Sequence, residues 1–386
     1  MTQIDLLRLD GSLEPYRVRE ASPYPRSHAG ELPRTVYAAA HVVADPIAQR
    51  NPWQSSEVDW DATLKFRHYL WGLGLKVAEA MDTSQRGMGL DWSGAKELIK
   101  RSLLEAKTVP GADLACGAGT DHLNPADVQS LDDVVAAYEE QLAHIEAYGG
   151  RAILMASRAL CKVARSKDDY LYVYDRIIRQ ASDKVILHWL GEMFDPQLSG
   201  YWASREVDTA MANCLELINA HPGKVEGIKI SLLERSYEEK MRALLPDGVK
   251  MYTGDDFNYA DLIEGDGTHH SHALLGIFDP IAPAAAAAMD CLAKGDGAGY
   301  HAILDPTVPL SRRIFEAPTQ YYKAGVVFLA WLNGYQDHFR MVGGMESARG
   351  ILHYSEIFRL ADQARLLVDP DLAITRMRQF NALNGI

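Results

Sequence analysis

From residue 34 onward, short apolar runs alternate with longer stretches whose apolar positions recur every three or four residues. The apolar runs cover residues 34–43, 76–81, 113–116, 151–156, 184–190, 225–231, 249–253 and 268–275. Between them, residues 58–74, 92–108, 130–148, 168–181, 206–220, 233–245 and 257–264 carry helical periodicity. Ser130, followed by Asp132 and Asp133, marks one helix start, with acids in the first turn. Eight alternations joined by short loops predict a parallel sheet closed as a (β/α)8 TIM barrel. An open doubly wound sheet would carry a Gly-rich phosphate loop after its first strand, and none stands there. Residues 1–34 hold Pro15, Pro23, Pro25 and Pro33 among charges and predict an irregular N-terminal arm. The barrel is expected over 35–304. A C-terminal helical extension follows over 305–386, with helices in 317–331, 350–360 and 370–381 and a surface suited to oligomer contacts.

The run 225–231 carries a lysine near its end. In an extended strand Val225, Gly227, Lys229 and Ser231 share one face. The short neighbours leave room above the ammonium for a ligand. A lysine in such a site loses basicity, and its neutral amine attacks carbonyl carbon. The other reading is a lysine that snorkels from a strand end to water.

Composition narrows the function. The 386 residues allow one large domain with additions, or two. Hydrophobic content of 47% and charged content of 24% suit a soluble enzyme, and a net charge of -13 argues against nucleic acid or an anionic membrane surface. Cys116, Cys161, Cys214 and Cys291 lack CxxC spacing, so the expected compartment is the reducing cytoplasm. The N-terminus lacks a signal-peptide core, and no apolar run reaches the about 18 residues of a membrane span.

A barrel enzyme carries its chemistry at the C-terminal strand ends. Those ends read His41, Thr83–Ser84, Cys116–Gly117, Ser157–Arg158, His188–Trp189, Lys229–Ser231, Gly254–Asp255–Asp256 and His270–Ser271–His272. This ring is more polar and diverse than ordinary turn chemistry, which points to an enzyme.

Several of these segments carry a resemblance. Gly227-Ile228-Lys229 resembles the G-I-K of the dihydrodipicolinate synthase / N-acetylneuraminate lyase family, whose lysine forms an imine with a 2-oxo acid. Tyr252-Thr253-Gly254-Asp255-Asp256, then Gly265-Asp266-Gly267, resembles the S-G-D-D … G-G-x-G stretch beyond that lysine. Asp82-Thr83-Ser84 resembles the T-T-G-E segment that holds the substrate carboxylate. Gly117-Ala118-Gly119-Thr120 and Val185-Ile186-Leu187-His188 match two further segments, and the likeness runs from about residue 34 to 304. The chain departs from the family in three places. No tyrosine ends the fourth strand (Leu154-Met155-Ala156-Ser157), Gln85-Arg86 replaces Gly-Glu, and Gly191-Glu192-Met193 stands where an arginine is expected.

The resemblance implies a cofactor-free Schiff-base lyase or aldolase acting on a small carbonyl substrate, a 2-oxo acid or sugar acid, through Lys229. It also implies a homodimer or homotetramer. His188 is the candidate acid/base, with a histidine bonded to a neighbouring carbonyl as the competing reading. Thr83 and Ser84 are expected to bind the carboxylate, and Ser157, Arg158, Gly254, Asp255 and Ser271 the rest of the substrate. Asp255 and Asp256 equally suit helix capping. No resident metal is expected. A second reading is a zinc aldolase or hydrolase drawing on His269, His270, His272, His41, His122 and His188. A third is a non-catalytic barrel that binds a sugar acid.

Overall fold

The computed structural model describes residues 3–49 and 51–386. It begins with an antiparallel hairpin of β1 (Gln3–Leu7) and β2 (Leu13–Arg17). Eight parallel strands then close a barrel: β3 (Val36–Ala39), β4 (Lys76–Glu79), β5 (Leu114–Ala118), β6 (Arg151–Leu154), β7 (Val185–Leu190), β8 (Val225–Ser231), β9 (Lys250–Thr253) and β10 (His272–Leu275). Each pairs with its neighbours in sequence, and β10 returns to β3. The chain is thus a (β/α)8 TIM barrel with a C-terminal helical extension.

The surrounding helices are α1 (Trp60–Gly72), α2 (Trp92–Ala106), α3 (Leu131–Ala147), α4 (Arg158–Val163), α5 (Lys167–Gln180), α6 (Val207–Ala220), α7 (Arg235–Arg242), α8 (Tyr259–Glu264) and α9 (Ala282–Ala293). Local chemistry sets their starts. Asp59 and Asp91 accept from the first-turn amides of α1 and α2, and Ser130 forms a capping box with Asp133 on α3. Tyr37, Ala39, Ala78, Ala115, Ile153, Ile186, Tyr252 and Leu274 fill the barrel interior, the Tyr37 ring edge-on to Tyr252.

Two expectations are corrected. The N-terminal arm is a hairpin over residues 3–17 rather than irregular. Ile4 and Leu6 alternate inward, and Pro15 sits on a two-stranded ribbon, where its missing donor costs little. The eighth strand starts later than residue 268, because Asp266 accepts from the amides of Thr268 and His269 and folds that stretch into a turn. His270, Ser271 and His272 therefore lie at its N-terminal end. Its C-terminal end is Leu275–Gly276.

After α10 (Gly297–Leu304), which packs on α9, the extension comprises α11 (Val308–Ile314), α12 (Tyr322–Leu332), α13 (Ile351–Gln363) and α14 (Pro370–Leu383). All of α12 is buried. A helix apolar on every face belongs inside a core, and α12 is enclosed by this chain's own elements. The hairpin closes over α13: Tyr16 donates to Asp362 (2.6 Å), and Arg359 pairs with Glu14 (2.9 Å). No helix among the described residues is long and apolar enough to cross a membrane.

Because barrel and extension share one core, a chain ending at residue 304 should lose cooperative thermal unfolding by circular dichroism and expose apolar surface. A truncated barrel that melts cooperatively at the full-length Tm would contradict this.

Candidate active site

Strand β8 aligns Lys229 with His188 of β7 and Tyr252 of β9. Alternation turns Gly227, Lys229 and Ser231 to the same face as Ile186 and Tyr252, toward the barrel axis. Two glycines make room for this. A Cβ on Gly227 would lie 2.8 Å from the Tyr252 ring, and one on Gly254 would lie 2.7 Å from Lys229 Cε and 2.6 Å from the Ile230 carbonyl. The lysine stem therefore runs along bare backbone.

Lys229 is only 7% exposed, and nothing among the described residues accepts a hydrogen bond or forms an ion pair with its amine. Burial pushes the ammonium below its ordinary pKa, opposed in part by Asp256 and then Asp82. Asp256 is itself buried and accepts from the Ile277 amide (3.0 Å). Burial pushes its carboxyl up to about 7, with that hydrogen bond and Lys229 opposing. Each group thus has its charged form disfavoured by burial and in part restored by the other. His188 lies on the neighbouring strand, its Nε2 3.3 Å from Ser231 Oγ and its buried Nδ1 without a partner among the described residues. Burial, then Lys229, hold it well below its ordinary pKa, so the ring is neutral.

The turn after β4 forms the next wall. Arg67 of α1 donates twice to the buried Glu79 carboxylate (2.9 and 2.8 Å) and also to the His41 carbonyl; Glu79 in turn accepts from the Ala80 amide (3.0 Å). His41 pairs with Asp279 (2.8 Å). This buried network fixes the ends of β3 and β4 and the segment after β10. Thr83 Oγ1 lies 2.8 Å from the Tyr322 hydroxyl of α12, and Ser84 donates to the Met81 carbonyl (2.6 Å). Both hydroxyls expected to hold a carboxylate are thus engaged within the protein.

Above them opens a cleft in two adjoining parts of about 270 and 200 Å³, with Asp82, Arg86, Arg158 and Asp195 common to both. His188 borders one part and Lys323 the other. Arg158 pairs with Asp195, and Arg86 forks onto Asp121 (2.9 and 2.6 Å). The extension roofs this region. Val342 donates to Gln85 Oε1 (3.0 Å), and Gly89 and Gly343 touch backbone to backbone.

Lys229, His188 and Gly254 are thus gathered, with Arg158 at the cleft and Thr83 against Tyr322. Ser157 instead caps α4, accepting from the Leu160 amide (2.9 Å), and exchanges a hydrogen bond with Thr120 (2.6 Å). Asp255 accepts from the amides of Phe257 and Asn258 (2.8 and 3.1 Å), which makes it a turn former. Ser271 donates to Glu238 (2.7 Å) at the opposite end of the barrel. The histidines considered for zinc are scattered. His41 is tied to Asp279, His122 to Gln141, and His272 accepts from the Thr35 amide at the far end. Among the described residues no group of three or more His, Cys, Asp or Glu side chains is placed to hold a metal. Sequence reasoning left Asp256 between substrate binding and helix capping, and it missed Asp82, Tyr322 and Lys323 as members of the site. The available signal for the last was a lone charge in the apolar run Tyr322–Leu332.

Comparison with known structures defines the class of fold. The chain is similar to dihydrodipicolinate synthase from Aquifex aeolicus (TM-score 0.63, 12% identity, covering 86% of this chain and 99% of that one). It is similar also to the enzymes from Bacillus clausii (0.63, 13%, 86% and 98%) and Oceanobacillus iheyensis (0.57, 12%, 92% and 97%). The chain belongs to the family described as Protein of unknown function (DUF993), whose model matches residues 4–386. No curated protein matches it.

Gly89 has φ +132°, and a Cβ there would lie 2.5 Å from the Gly343 nitrogen. Gly89→Ala should therefore cost about 2 kcal/mol in denaturant unfolding, from strained backbone and the forced separation of roof and loop. An unchanged midpoint would refute the tight contact.

Proposed function

We propose that this protein is a Schiff-base-forming lyase or aldolase that acts on a 2-oxo acid or sugar-acid-like carbonyl compound through Lys229. The observation that carries this reading is a buried, unpaired lysine at the C-terminal end of a barrel strand, its amine depressed and set beside a carboxyl that titrates near neutrality. The fold likeness to dihydrodipicolinate synthases supports the same kind of chemistry.

The neutral Lys229 amine attacks the ketone carbon, and its N–H proton passes to the carbonyl oxygen to give a carbinolamine. Asp256, protonated, gives its proton to the departing hydroxyl, and water leaves as the iminium forms. The iminium then accepts the electron pair of the breaking bond at the adjacent carbon. The Asp256 carboxylate left by the dehydration takes the proton released from a substrate hydroxyl, and neutral His188, with a ring nitrogen unpartnered among the described residues, can hydrogen-bond that hydroxyl. Proton return to the resulting enamine and hydrolysis free the lysine. No cofactor is needed. Asp256 replaces His188 as the main acid, because a ring held far below neutrality has no proton to give at pH 7.

Borohydride reduction with pyruvate should give a stable adduct mapped by peptide mass spectrometry to Lys229, and Lys229→Met should give none. An adduct confined to other lysines would sink the proposal.

The pH profile has two limbs. The attacking form of Lys229 is deprotonated, so trapping rises with pH through its depressed pKa. The useful form of Asp256 is protonated, so trapping falls as pH rises past about 7. Asp256→Asn should slow imine formation by about 100-fold and remove the alkaline fall. A variant that retains that limb would assign it to another group.

A further inference from the structure

Lys323 of α12 is a second buried lysine, only 4% exposed, and it borders the part of the cleft lined by Asp82, Arg158 and Asp195. Its ammonium donates to the Gln320 carbonyl (3.0 Å), contacts Met88 Sδ (3.5 Å) and stands 4.6 Å from the Tyr322 ring centroid. No carboxylate among the described residues comes within ion-pair distance of it. The other charges at the cleft are already matched: Arg158 with Asp195, and Arg86 with Asp121. Asp82 remains, and its field acts on both Lys229 and Lys323. The field of Asp82 is therefore shared between two lysines, and its carboxylate pairs with neither at contact distance. A buried cation without a counter-ion is costly, and an ammonium has three donors to place.

We propose that Lys323 is the receptor for the anionic group of the substrate, so that the C-terminal extension selects anionic carbonyl compounds over neutral ones. This rests on the Lys229 reading for the fate of the carbonyl. It also reassigns the anion contact from Thr83 and Ser84, whose hydroxyls already serve Tyr322 and Met81. Lys323 is then a specificity residue supplied from outside the barrel.

The experiment has two arms. In the first, calorimetry measures pyruvate and 2-oxoglutarate binding to Lys229→Met, which cannot form an imine, and to Lys229→Met/Lys323→Met. The second lysine change should weaken at least one acid by about 30-fold, as expected for removing one partner of a buried charge pair, and Lys323→Arg should restore most of it. In the second arm, borohydride trapping of hydroxyacetone, a neutral ketone, should proceed on Lys323→Met within about twofold of the unsubstituted protein, showing an intact fold and amine. The proposal is overturned if the acids do not bind Lys229→Met, if they bind both variants equally, or if hydroxyacetone trapping falls in parallel with acid binding. Failure of the imine reading shows differently, as loss of trapping on Lys229 with the acid contrast in calorimetry intact.

Discussion

The structure turns on the amine of Lys229, buried with no counter-ion in contact among the described residues. A lysine in a barrel interior is unfavourable as a cation, because desolvation outweighs the attraction of carboxylates that do not touch it. This constraint explains the residues around Lys229. Gly254 and Gly227 are bare so that the stem and the Tyr252 ring fit, Ser231 and His188 are neutral, and Asp256 is buried deeply enough to share the proton. An ordinary salt bridge at this position would stabilise the ammonium and remove the depressed basicity on which the proposed function rests.

The barrel and its extension divide the labour. The barrel supplies the amine, the carboxyl and the imidazole from β7, β8 and the turn after β9, elements that cannot move independently. The extension supplies the roof: Tyr322 on Thr83, Val342 on Gln85, and the contact of Gly89 with Gly343. A roof built on a fully buried helix narrows access to the site and strengthens the electrostatic contacts beneath it, and under the proposed function it would also shield an iminium from early hydrolysis.

The barrel was legible because both of its periods are strong. Apolar runs such as residues 184–190 admit a buried parallel strand, and the helices between announce themselves with caps such as Ser130 with Asp133. Lys229 was legible for the same reason, since strand parity fixes its face. What the sequence hid depended on contacts distant along the chain. Tyr322 is 239 residues from Thr83, and nothing local marks the pairing. Asp255 and Asp256 are adjacent, and only the backbone after β9 decides which turns toward the lysine and which caps the turn. Ser271 was misplaced because a polar turn nucleated by Asp266 was read as the start of the strand.

The most direct test of this account is the titration of Lys229 itself, followed by mass spectrometry as the rate at which a neutral electrophile modifies that residue across a pH series. A half-point well below the about 10.4 of a free lysine, shifting upward when Lys229 is given a nearby carboxylate by Ser231→Asp, is what the burial of an unpaired amine predicts. A half-point at the free-lysine value would mean that the ammonium is solvated or paired, and would remove the basis for reading Lys229 as a nucleophile.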